Sequence, residues 1–120
     1  MDALLKKMRL DSVEFSIYNK NMNNPELPEP ITFEWDEYNK TKIRLKHNTT
    51  PEDAEQTFFN ERIIIFDQKH SAIEQRYQLL GMNNSNRVLF IVFTIRNNKI
   101  RVISARSASK KERSMYDQKI

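Results

Sequence analysis

The run RVLFIVFTIRNNKIRVISAR, residues 87–106, decides the fold. Residues 87–96 and 99–106 are β-branched and aromatic, as strand residues tend to be. Asn97-Asn98 lies between them, and asparagine accepts the positive φ that a tight hairpin turn demands. The pair therefore reads as two antiparallel strands. On the second, strict alternation groups Arg101, Ile103 and Ala105 on one face, and Ile100, Val102, Ser104 and Arg106 on the other. Upstream, residues 72–80 alternate, with Ile73, Gln75, Tyr77 and Leu79 set against Glu74, Arg76 and Gln78. Residues 62–67 form a further β-rich run. The 82–86 loop gives another hairpin connection, so three or four strands follow one another antiparallel.

Further out, Asp36 has the chemistry of a helix N-cap. Its helix runs to Lys46-His47 and stops at Asn48, a residue that tolerates the left-handed conformation of helix ends. Thr50-Pro51-Glu52-Asp53 starts a second helix, with a capping Thr, Pro at the first position and acids in the first turn. This helix is predicted to end near Asn60. Residues 31–35 make a short first strand, and 109–118 a last helix. The order β-α-α-β-β-β-β-α predicts an α+β protein with helices packed on one face of a sheet. Residues 1–30 read as an N-terminal extension. It holds a helical turn within 1–12, a weak strand signal at Val13, Phe15 and Ile17, and an Asn/Pro/Glu-rich linker at 19–30. The compact unit is predicted over 31–120.

Composition narrows the chemistry. The 120 residues amount to about one domain and contain no cysteine, which excludes disulfides, thiolate zinc sites and a Cys nucleophile and fits a reducing cytoplasm. The longest apolar run, 88–93, is far too short to span a membrane. Gly81 is the one glycine, and dinucleotide fingerprints, Walker loops and nucleophile elbows need at least two at fixed offsets. Charge is lopsided: residues 1–75 hold 10 Lys/Arg against 14 Asp/Glu, whereas residues 76–120 hold 10 against 2. A cationic C-terminal half suits a polyanionic partner or an acidic protein, and equally a solvated basic surface.

Arg106 lies at a strand end just before Lys110-Lys111-Glu112-Arg113. Guanidinium forks match phosphate oxygens and can stabilise the transition state of phosphodiester transesterification. The plain alternative is that the arginines pair with Glu34, Asp36 or Glu74 and hold the sheet edge. His47 can exchange a proton at a 2′-hydroxyl or a leaving oxygen, or it can cap the helix end. His70 reads as a turn residue. With no H-x-x-x-H or H-E-x-x-H spacing, no metal site is expected. Trp35 and Tyr38 are candidates for base stacking or for anchoring a helix to the core. Tyr116 shares a helix face with Arg113 at i, i+3, as proton donor, stacking platform or packing residue.

In order along the chain come Phe33-Glu34-Trp35-Asp36, Lys46-His47, Asp67 to His70-Ser71, Glu74 to Arg76, Leu80-Gly81, Arg87-Val88-Leu89 and Thr94-x-Arg96. Ile100-Arg101-Val102-Ile103-Ser104-Ala105-Arg106-x-Ala108 and Glu112-Arg113-x-x-Tyr116 complete the series. Over about residues 32–117 this resembles the BrnT toxins of bacterial type II toxin–antitoxin systems. Asn48 departs from the glycine expected after the Lys-His pair. The resemblance implies a RelE-like antiparallel sheet with two N-terminal helices on one face and a short C-terminal helix. It implies a metal-independent endoribonuclease, without cofactor, that arrests translation. It also implies a BrnA-type ribbon-helix-helix antitoxin, with operator DNA bound only through the toxin–antitoxin complex. By motif, the catalytic candidates are Lys46, His47, Arg106, Arg113 and Tyr116, and the RNA-binding candidates are Arg76, Arg101, Lys110 and Lys111. The rival expectation is a basic module that holds RNA or an antitoxin without cutting.

Overall fold

The structure, a computed structural model, describes residues 26–119. The expectations for residues 1–25, including the early helical turn and the weak strand signal, lie outside the described residues. Five strands and three helices follow the predicted order: β1 (Phe33–Glu34), α1 (Glu37–His47), α2 (Pro51–Gln56), β2 (Arg62–Phe66), β3 (Tyr77–Met82), β4 (Val88–Arg96), β5 (Lys99–Ser107) and α3 (Lys110–Lys119), with one turn of 3₁₀ helix at Gln68–His70. The sheet order is β1-β5-β4-β3-β2.

The sheet is mixed, which corrects the expected antiparallel one. β2 through β5 form an antiparallel meander, but β1 joins β5 in parallel, with Phe33 opposite Ile100. β1 is separated from its neighbour by the rest of the fold, so no hairpin constrains its direction.

The predicted caps are present. Asp36 accepts from the Asn39 N–H at 2.7 Å, and Asn48 closes α1 at φ 48°. Thr50 and Asp53 form a reciprocal capping box, 3.0 Å in both directions. Asn97 and Asn98 turn the β4–β5 hairpin at φ 54° and 61°, in the left-handed region where asparagine replaces glycine at modest cost. α2 is shorter than expected. It ends at Gln56, and a turn then carries Phe58 into the core.

Two apolar layers form on opposite faces of the sheet. α1 and α2 cover a core of Ile43, Ala54, Phe58, Leu79, Ile91, Phe93 and Val102. Phe58 meets Phe33 and Phe93 edge-on, at 5.3 and 5.0 Å between centroids. On the other face, α3 lays Met115 and Tyr116 over Ile63, Leu80 and Val88. The helices therefore do not share one face, as the sequence reading expected. The run Ile63–Phe66 supplies side chains to both layers alternately, as a sheet covered on both sides requires.

Two strand expectations change. Residues 72–76 are not strand. Asp67 caps the 3₁₀ turn, the Ser71 hydroxyl bonds the Asp67 carbonyl, and the Arg76 N–H bonds Ser71. This network holds the segment as a loop and leaves Ile73 fully exposed. The second change is in β5. Val92 pairs with Ser104 but Phe93 pairs with Val102, so β5 carries an extra residue at Ile103. This β-bulge resets the alternation. Ile100, Val102 and Ala105 all enter the α1/α2 core. Arg101 and Arg106, expected on opposite faces, thereby come to the same face.

Candidate functional site

The bulge is held from outside by α1. Asn39, buried, donates its amide to the Val102 carbonyl at 3.2 Å, and the Lys42 ammonium reaches the Ile103 carbonyl at 3.2 Å. Lys46 falls between these two residues around the helix, one turn beyond Lys42, so it continues the stripe alongside the last residues of β5. Lys46 is exposed. His47 lies about 100° further round the helix and is half-buried.

Capping the end of α1 falls to Arg87 rather than to the His47 ring. The Arg87 guanidinium donates to the His47 and Asn48 carbonyls at 2.9 and 2.8 Å, to the Thr49 hydroxyl at 3.0 Å and to the Ser107 hydroxyl at 2.8 Å. It ties the helix end to the end of β5 and leaves the His47 ring without a partner among the described residues. The sequence reading singled out Arg87 only as part of a motif.

Arg106 is held on three sides. Its Nη1 and Nη2 donate to Glu112 Oε1 and Oε2 at 2.9 and 3.0 Å, its Nη1 also donates to the Ser107 carbonyl at 3.1 Å, and its guanidinium lies 4.4 Å from the centre of the Phe90 ring. These contacts use the end of the fork and the outer Nη1 hydrogen. The side edge, Nε–H with the remaining Nη2 hydrogen, has no acceptor among the described residues. That edge is the second bidentate surface of a guanidinium. Glu112 is fixed in turn by the α3 cap: Ser109 N–H donates to Oε1 at 2.8 Å, and the Ser109 hydroxyl accepts from the Glu112 N–H. Burial pushes the Glu112 carboxyl up, but the Arg106 fork and the Ser109 bonds outweigh it and hold the group below the usual range.

The arginines at the other end of the same face are internally paired. Arg101 bonds Asp36 and lies near Glu34, with only 18% of its side chain exposed, so it clamps β1 and the start of α1 to β5. The Asn39 N–H and the Arg101 bond hold the Asp36 carboxyl low. Arg76 and Arg96 share Glu74. Arg101 and Arg76 thus each have a carboxylate partner within the fold.

Tyr116 is turned inward. Its ring is buried under α3, and its hydroxyl donates to the Glu61 carbonyl at 2.9 Å. Burial, with the nearby Glu61 and Asp117 charges, raises its pKa. Such a hydroxyl anchors α3 to the chain just before β2. Arg113 is exposed on the outer side of α3, and Lys110 and Lys111 are exposed at its start. Trp35 anchors, its indole donating to Glu55 at 2.8 Å, whereas Tyr38 is exposed with Lys42 above its ring. His70 is tied through Nδ1 to the buried Asp67 carboxylate at 3.1 Å. Among the described residues, no group of three His, Asp or Glu side chains comes together as a metal site requires.

A family model described as the ribonuclease toxin, BrnT, of type II toxin-antitoxin systems matches residues 35–112. The chain belongs to the BrnT family. The crystal structure of the Brucella abortus ribonuclease toxin, BrnT, is similar at a TM-score of 0.51 and 24% sequence identity, over 67% of this chain and 99% of that one. At that identity the likeness carries the fold. No curated protein matches the chain. The BrnT match encloses Lys46, His47 and Arg106 with its Glu112 partner, while Arg113 and Tyr116 fall just beyond it. Among the described residues no helix is long and apolar enough to cross a membrane.

Proposed function

We propose that this BrnT-family chain is a metal-independent endoribonuclease that cuts RNA in the cytoplasm, arrests translation and is restrained by a BrnA-type ribbon-helix-helix antitoxin. Operator DNA is contacted only through that complex. The observation that carries the reading is the free side edge of Arg106. A guanidinium immobilised by Glu112, Ser107 and Phe90 meets a phosphate with little further loss of side-chain freedom.

In this mechanism the RNA crosses the sheet face that α3 leaves open. The 2′-oxygen attacks the neighbouring phosphorus as His47 takes its proton. The bond from phosphorus to O5′ breaks, and O5′ receives a proton from Lys46. The products are a 2′,3′-cyclic phosphate and a 5′-hydroxyl. Arg106 holds the non-bridging oxygens as charge develops on them, while Lys110, Lys111 and Arg113 hold flanking phosphates.

The test is cleavage of a labelled RNA by purified protein in excess chelator. Wild type cuts, and Arg106→Ala loses activity roughly 10²–10³-fold, as when one oxyanion donor is removed. Equal cutting by the two proteins removes Arg106 from the mechanism. The non-catalytic alternative draws support from the buried Tyr116 hydroxyl and the internally paired Arg76 and Arg101. It requires that wild type bind RNA or antitoxin and leave the RNA intact.

A further inference from the structure

Beside Arg106, the face under the start of α3 has an apolar floor that the helix does not cover. Ile65, Leu80 and Phe90 form the floor, Met115 and Lys111 form one wall, and the cleft has a volume of about 290 Å³. α3 is short, and in its first turn it offers this face Lys111 and Glu112, with Met115 the first large apolar side chain. Ile65 and Phe90 consequently remain half-buried. Gln78 also lines the cleft. It stands between Ile65 on β2 and Val92 on β4, and its carboxamide has no hydrogen-bond partner among the described residues.

We propose that this cleft binds the nucleobase attached to the phosphate that Arg106 holds, with Gln78 reading the edge of the base. The inference deepens the ribonuclease reading and rests on it. A base has two apolar faces, a polar edge and a phosphate linked through its sugar. The cleft offers an apolar floor, a single amide pair and cations at the rim in Lys111 and Arg106. An apolar protein side chain would fill the floor equally well, but it would cover the half-buried Gln78 amide without pairing it and would make no use of the Arg106 edge. An amide places a donor beside an acceptor, which complements the amino group and ring nitrogen of adenine. Adenine is therefore the favoured base at this position, by roughly tenfold or more.

Two measurements on the full chain test this. In the first, methyl NMR of Ile65, Leu80 and Met115 is recorded with adenosine 3′-monophosphate, with cytidine 3′-monophosphate and with inorganic phosphate. The expected result is methyl shifts with the nucleotides, stronger for adenosine, and none with phosphate alone. Unmoved methyls, or methyls that move only with a cognate antitoxin, overturn the pocket. In the second, cleavage sites in a mixed-sequence RNA are mapped for wild type and Gln78→Glu. Because a carboxylate only accepts hydrogen bonds, the preference is expected to move from adenine toward cytosine. Cutting with the same base preference in both proteins sinks the pocket and spares the ribonuclease reading. Nucleotide-induced methyl shifts without any RNA cutting sink the ribonuclease reading and leave the base pocket standing.

Discussion

Arg87 Nη2 donates to the His47 carbonyl at 2.9 Å, and through the same guanidinium the end of α1 is joined to Ser107 at the end of β5. Helix ends leave their last carbonyls without intrahelical partners. Here Arg87, just before β4, satisfies two of them, which fixes where Lys46 and His47 stand. Arg87→Ala is expected to cost about 1–3 kcal/mol, seen as a melting temperature lowered by roughly 5–15 °C. Arg87→Lys keeps the charge but not the planar fork, so it should recover less than half of that loss.

Glu112 governs how Arg106 is presented. Glu112→Gln keeps the size of the side chain but weakens the fork, so Arg106 becomes mobile. RNA cleavage should fall by on the order of tenfold, mainly in kcat, because a loosened cation still attracts RNA but no longer meets the developing charge in register. Steady-state kinetics on one defined RNA checks this. An unchanged kcat means that Glu112 matters only to α3.

Acid should weaken the fold in a defined window. The folded-state Glu112 carboxyl lies below its ordinary value of 4.5. Asp53 is also low: burial pushes it up, but Thr50, Asn83 and Arg87 more than compensate. For a depressed carboxyl, the stabilisation is complete above the unfolded-state pKa and is lost as pH falls through the folded-state value. Thermal melts of wild type should therefore decline from about pH 5 downward. Glu112→Gln should be less stable at pH 7 and approach wild type as pH falls below the folded-state value. Parallel curves across that range would mean the ion pair contributes nothing.

Gly81 is needed for closeness rather than for an unusual backbone angle. A Cβ there would lie 2.9 Å from Leu79 Cδ2, 3.0 Å from Thr57 Cβ and 3.1 Å from the Thr57 carbonyl oxygen. The Thr57 contacts come from the chain just after α2, which has no room to retreat from the sheet. Gly81→Ala should destabilise by about 1–3 kcal/mol, measured by urea unfolding with an unchanged m-value.

Local chemistry was the legible part. Asp36, Asn48, Thr50 and Asn97-Asn98 announced caps and turns because each acts on backbone within a few residues of itself. The meander was legible for the same reason. What the residues did not disclose was decided across the fold. Nothing near residues 72–76 shows that Ser71 will bond Arg76 and hold a loop. No periodicity reports that β1 will lie parallel to β5, or that α3 will take the face opposite α1 and α2. The site followed the same division. The motif order pointed to Arg106, but the role of Phe90 depends on a register between two strands, and that of Gln78 on a helix too short to cover it. The i, i+3 spacing of Arg113 and Tyr116 says nothing about which of the two is buried, so the inward turn of Tyr116 was not legible.

The bulge at Ile103 has a consequence for how this strand can change. Removing that one residue would let Ser104 follow Val102 just as Val92 precedes Phe93, so Ala105 would still face inward opposite Ile91 and Arg106 would still stand opposite Phe90. What would vanish is the Ile103 carbonyl that Lys42 grips and the local bend that a bulge puts into a strand. The extra residue therefore serves the seating of α1 against the edge of β5 and not the sorting of side chains between faces. Deletion of Ile103 should spare the core while displacing α1, and substitutions at Ile103, which keep the carbonyl, should disturb neither.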